Sequence, residues 1–263
     1  MIEIVDKRIV NNLDYQRDAF NSVGWFIPPY VTLGFGNQLA RQINEANGSY
    51  SQEDLEKMLS NIYSPEYLAA MVLERYPITP VIQDYCKIIS EAAIAHFSNL
   101  DHIAVAGLMP VIEGAGNSLA KEFSVKGKGK NLFKNLAEYC KKLSSEKNIG
   151  AVGEVASMMD SFKEYTDKHL YINSENYLHT DKTNRHGILH GTYTDDDYGR
   201  PINFYKAIAA VDFLCFISAF RAPISWMAPN LTKKSEKLSE YYRACFLISE
   251  INPARNISSI KKK

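Results

Sequence analysis

The chain has 263 residues, with 30 basic and 30 acidic side chains and so no formal net charge when its histidines are neutral. That balance argues against a high-affinity nonspecific nucleic-acid binder, which carries a basic surplus, but leaves room for an enzyme with one local basic cleft. Hydrophobic residues at 46% and charged residues at 23% describe an ordinary globular protein, long enough to bury a core without disulfide staples.

Apolar positions recur at helical spacing almost throughout. Ile4, Val5, Ile9, Val10, Leu13 and Phe20 predict a first helix ending at Gly24, and a second follows Pro28-Pro29 to about Glu45. Ser51 before Gln52-Glu53-Asp54 and Ser64 before Pro65-Glu66 are helix-start signals: a hydroxyl cap, then acids or proline in the first turn. Pro77 and Pro80 predict the opening of a long helix through about Phe97, and Asp101 starts another to about Phe123, with a bend at Pro110. Lys126-Gly127-Lys128-Gly129-Lys130 is a basic loop that lacks the phosphate-loop pattern. Helices are expected over 131–143, 152–169, 182–190, 202–220 and 233–249, with a loop over 192–201 and a disordered Lys261-Lys262-Lys263 tail.

No alternating stretch calls for a sheet, so the expected architecture is all-α, a helical bundle. The basic loop separates an N-terminal helical region, 1–125, from a C-terminal one, 126–263, although the segment 202–220 is apolar nearly all round and must sit between other helices. Uncharged 19–40 is broken by prolines and glycines, and 202–220 carries Lys206 and Asp212, so both read as core and no membrane association is expected. Cys86, Cys140, Cys215 and Cys245 form no C-x-x-C pair and read as free thiols, and no secretory leader pattern is present; a cytoplasmic location is expected.

The chemistry concentrates in Asn184-Arg185-His186-Gly187-Ile188-Leu189-His190-Gly191. A guanidinium grips a phosphate bidentately and an imidazole moves a proton at neutral pH, which together suffice to cut RNA without a metal. Gly191 is placed to end the helix in the left-handed conformation, leaving His190 in its last turn beside a loop. Arg185 and His190 lie about 140° apart on an ideal helix, so a long side chain or a frayed end must bring their tips together. The ordinary alternatives are an ion pair for Arg185 and a C-terminal cap for His190.

In this setting, Asn184-Arg185, four residues and His190, on a helix followed by a loop and a long apolar helix, resemble the R-x(4–6)-H motif of the HEPN superfamily. Tyr198-Gly199, Asn203 and the stretch 207–214 are similar to bacterial HEPN-type proteins, phage-defence proteins among them. So are Gly24-Trp25-Phe26-Ile27-Pro28 and Leu108-Met109-Pro110-Val111-Ile112-Glu113-Gly114. The resemblance implies a dimerising helical bundle in which two copies of the motif form one metal-independent ribonuclease site. His190 would be the general acid or base for attack by a ribose 2′-hydroxyl, Arg185 would hold the scissile phosphate, and Asn184 and His186 would orient them. It also implies 2′,3′-cyclic phosphate products, no cofactor, RNA as substrate, and a toxin or defence role with an inhibitory or antitoxin partner. Some members of that group are noncatalytic RNA- or protein-binding modules.

Other readings stay open on the residues themselves. His186 and His190 at i and i+4 suit a metal, with Asp195, Asp196 or Asp197 as third ligand, but the Glu of H-E-x-x-H is missing, and no metal is expected. Glu113, in an apolar stretch, needs a partner, either a local hydrogen bond or Arg185. His96 and His102 flank a helix boundary and read as caps or core residues; Trp25, Phe26 and Tyr30 read as packing residues or as a stacking platform for bases.

Overall fold

Local capping chemistry sets most of the helix boundaries in the computed structural model, which describes residues 13–252. Among these, eleven α-helices are present and no strand: α1 Asp14–Ser22, α2 Leu33–Glu45, α3 Gln52–Ile62, α4 Pro65–Ala70, α5 Cys86–Phe97, α6 Asp101–Glu122, α7 Lys130–Lys147, α8 Val152–Tyr165, α9 Arg185–Leu189, α10 Pro201–Ser218 and α11 Lys233–Glu250. The expectations for Ile4, Val5, Ile9, Val10 and the lysine tail fall outside the described residues. Ser51 caps α3 through a reciprocal box, its hydroxyl accepting from Asp54 N at 3.1 Å while the Asp54 carboxylate accepts from Ser51 N at 3.3 Å. Ser64 accepts from Tyr67 N and Pro65 occupies the first turn of α4.

The long helix expected to open at Pro77 and Pro80 ends at Phe97 as expected but begins later. Met71–Arg75 widens into a π turn, Tyr76–Ile78 and Ile82–Tyr85 tighten into 3₁₀ turns, and α5 begins only at Cys86. Two backbone facts explain the break. Thr79, ahead of Pro80, is extended at φ −91° and ψ 116°, as steric contact with the proline ring demands. Val81 then takes φ +69°, a conformation no β-branched residue can carry within a helix. α6 runs as one 22-residue helix through Pro110, which lies on its exposed side. The helix expected over 152–169 stops at Tyr165 and continues as a π turn, Thr166–Leu170.

Every residue of α10 from Ile202 to Ser218 is buried, and the helix packs against α6 on one side and α3 on another. One hydrophobic cluster draws on both sides of the basic loop, from Ala19 to Tyr242. Trp25 and Phe26 are fully buried in it, which settles them as packing residues rather than a platform for bases. Phe26 meets Phe162 edge-on at 5.1 Å, and Phe162 stacks on Phe213 at 4.1 Å, tying the α1–α2 connection to α8 and α10. Burying such a ring contributes roughly 1.5–3 kcal/mol. By length and hydropathy alone α6 and α10 could cross a bilayer, yet 94% of the α10 window is enclosed by its neighbours here. All four cysteines are free, and burial pushes the Cys140 thiol up to about 12.

Asp212 on α10 is 1% exposed and accepts hydrogen bonds from the Tyr67 hydroxyl at 2.6 Å and the Tyr76 hydroxyl at 2.8 Å. Burial raises its pKa to about 7 against the lowering effect of those two bonds. Between an unfolded value of about 3.9 and that level, the folded state holds a proton that the unfolded chain has lost. The stabilisation is therefore complete below about pH 4 and falls by about 4 kcal/mol as pH rises to 7. Asp212→Asn mimics the protonated carboxyl. Its stability relative to the unsubstituted protein should rise by about 3 kcal/mol between pH 5 and pH 8 in urea titrations, and a difference that is flat with pH would contradict this assignment.

Candidate functional site

The short helix α9 is held from below by its own cap. Asn184 Oδ1 accepts from Gly187 N at 2.8 Å, while its Nδ2 donates to the carbonyls of His169 at 2.8 Å and Ile172 at 2.9 Å, at the end of the π turn. Asn184 is fully buried. It orients the motif by anchoring the backbone and does not face solvent. The helix starts at Arg185 rather than 182 because Lys182 takes φ +58°. Gly187 is demanded by packing: a Cβ there would lie 2.2 Å from the Tyr193 ring. His190 is the C-cap residue, its N–H bonded to His186 O at 3.1 Å, and Gly191 follows at φ +68°, the left-handed stop expected of it.

Beneath this cap lies a buried polar network. Lys206 and Asp181, both 0% exposed, pair at 3.0 Å, and Lys206 Nζ also donates to Gln52 Oε1 at 2.8 Å. Asp181 further accepts from the Tyr177 hydroxyl at 2.9 Å and from Thr183 N at 3.1 Å. Asn203 Nδ2 donates to Asp181 O at 2.5 Å and to Thr183 Oγ1 at 2.9 Å. Burial works to raise the Asp181 carboxyl, but Lys206 beside it and the hydrogen bonds it accepts hold it down to about 2. Burial lowers Lys206, and Asp181 opposes that. The segment leading into α9 is thus tied to α10 and α3 by bonds that a charged carboxylate strengthens.

Above the cap, the candidate residues come together around Arg185. Its Nε and Nη2 donate to Glu113 Oε2 on α6 at 3.1 and 2.5 Å, so of the two partners open to Glu113 the structure selects Arg185. The guanidinium also lies 5.9 Å from the centre of the Tyr171 ring, and Nη1 makes a long 3.5 Å approach to His186 Nδ1. His186 in turn stacks on His190, ring centres 5.6 Å apart and planes 13° from parallel. Burial, the Arg185 charge and His190 all lower the His186 pKa, with Glu113 opposing, which favours its neutral form. His190 is exposed, and the Arg185 side chain is 18% exposed.

The acidic loop after α9 turns elsewhere. The carbonyl of Asp195 meets His102 Nε2 at 3.1 Å, and the Asp197 carboxylate accepts from Thr194 N at 2.8 Å, closing its own turn. Among the described residues no group of three or more His, Cys, Asp or Glu is arranged to hold a metal ion. Sequence reading missed Tyr171, Asp181 and Thr183. The signal for Asp181 and Thr183 was a polar stretch just ahead of the motif, opposite Lys206 on an otherwise apolar helix. No family of proteins, no curated protein and no solved structure matches this chain in the three comparisons made.

Proposed function

We propose that the chain is a metal-independent endoribonuclease of HEPN type, acting on RNA through a site that two copies complete. The observation that carries this reading is the grouping along the short helix α9: a guanidinium braced by Glu113 that approaches His186, which in turn stacks on the exposed His190. Arg185 holds the scissile phosphate through Nη1 and offsets the charge that builds on it. One imidazole accepts the proton of the ribose 2′-hydroxyl as that oxygen attacks phosphorus, and another delivers a proton to the departing 5′-oxygen. His190, exposed at the helix end, is the general acid or base; neutral His186 supports it as acceptor. A second chain supplies the matching Arg185 and His190, which is why the proposal includes a homodimer. A toxin or defence role in the cytoplasm, restrained by an inhibitory partner, belongs to the same reading.

Incubated with mixed RNA in excess chelator, the purified protein should cleave, and His190→Ala should be slower by about 10²–10⁴-fold, the usual weight of general acid–base catalysis. No cleavage by the unsubstituted protein, or equal cleavage by both, sinks the proposal. A second reading, a noncatalytic helical module that binds RNA or protein, is favoured by one observation: two of the guanidinium donors are already committed to Glu113. RNA binding without turnover would select it.

A further inference from the structure

We propose a second site, remote in its lining residues from Arg185, that binds a small neutral molecule with an aromatic body and one hydroxyl group, seated on His96. His96 in the last turn of α5 is 6% exposed, and its Nδ1 lies 2.6 Å from Asp101 Oδ1 at the first turn of α6. The ring stacks on Phe204 at 4.0 Å with planes 9° apart and meets Tyr205 edge-on at 5.0 Å, so it cannot turn. This pairing accounts for the α5–α6 corner, as a capping role for His96 anticipates. It leaves the other nitrogen unexplained. Nε2 makes no hydrogen bond within the protein and is not among the polar atoms sealed from solvent, and His96 lines a cavity of about 450 Å³. A cavity of that size falls within the range that holds small-molecule ligands.

The walls specify the rest of the ligand. Tyr63 and Tyr205, near-parallel at 5.9 Å, and Phe97 form aromatic sides, and the half-exposed Phe246 and exposed Leu247 of α11 form the rim. The cation at the mouth, Arg243, is paired with Glu66, so the mouth offers no unbalanced charge to a charged ligand. A buried imidazole already matched to Asp101 likewise gains nothing from a second carboxylate. A hydroxyl suits it in either state, donating to Nε2 of the neutral ring or accepting from the imidazolium. Few polar groups set among aromatic walls are the pattern of an orienting contact in an apolar ligand site.

The test uses the full chain with 2-naphthalenemethanol and its near-isostere 2-ethylnaphthalene, followed by calorimetry and by ¹⁵N NMR of labelled histidines. The alcohol should bind saturably and at least about tenfold more tightly than the hydrocarbon, which leaves Nε2 desolvated without a partner, and it should move the His96 Nε2 resonance. His96→Phe strands Asp101 and can unfold the chain; Leu247→Trp, at an exposed rim position, fills the mouth instead and should weaken alcohol binding by at least about tenfold. Equal binding of the two probes, an unmoved His96 resonance, unchanged binding by Leu247→Trp, or no saturable binding would each overturn the proposal.

Discussion

Replacing Lys206 with methionine should destabilise the protein by about 3–5 kcal/mol, the range for removing one partner of a buried ion pair. Methionine matches the length of the lysine stem, so packing within α10 is largely kept and the loss reports on charge. Without Lys206, the Asp181 carboxylate is buried with only neutral donors, Tyr177, Thr183 N and the Thr183 hydroxyl. It then takes up a proton or drags water into the core, and either route weakens the bonds that tie the entry of α9 to α10. Lys206→Met with Asp181→Asn should therefore cost clearly less than the sum of the two single changes, by about 1–3 kcal/mol. Denaturant titrations of the four proteins measure this cycle. Additive losses, or less than about 1 kcal/mol for Lys206→Met, would show that the pair does not bind the motif to the core.

If the proposed ribonuclease reading holds, Arg185→Lys should lower RNA cleavage by about 10²–10³-fold while leaving the fold intact, the scale of losing a donor aimed at transition-state charge. Lysine keeps the charge but loses the fork, and this site uses the fork on two sides. Nε and Nη2 are spent on Glu113, which leaves Nη1, near His186, for a phosphate. An ammonium drawn to Glu113 has no second face to present to a phosphate. Glu113→Gln should act in the same direction but less, because glutamine still accepts one hydrogen bond and only the ionic part of the brace is lost. The pair is partly exposed, so both variants should retain nearly the original stability. Steady-state cleavage rates beside thermal melts separate these outcomes. An Arg185→Lys protein that cleaves as fast as the original would remove Arg185 from the proposed chemistry.

The helical architecture was legible because its signals are local. Ser51, Ser64 with Pro65, and Gly191 each act within a few residues of the boundary they set, and the continuous apolarity of 202–220 could only mean a helix enclosed by others. The separation of α4 from α5 was legible in Pro77 and Pro80; the delay of α5 to Cys86 was not, since it goes with Val81 at a positive φ, which local preference opposes. At the site, sequence placed His190 in the last turn of a helix that also carries Arg185, but left the direction of each side chain open. Glu113 lies 72 positions from Arg185, and nothing in the spacing could rank Arg185 above a nearer partner. Asn184 reads as a polar neighbour of the motif, yet the fold turns it inward as the cap and anchor of α9. Asp181 and Lys206 are separated by 25 positions and a loop, and their pairing appears only once α10 is placed.

The most direct test of the ribonuclease reading is the chemistry of the cut ends. RNA digested by the protein in excess chelator and analysed by ³¹P NMR and mass spectrometry should yield 2′,3′-cyclic phosphate and 5′-hydroxyl ends, with their yield over the same time cut about 10²–10⁴-fold by His190→Ala. Products ending in a 3′-hydroxyl and a 5′-phosphate, or RNA left intact by the unsubstituted protein, would contradict it.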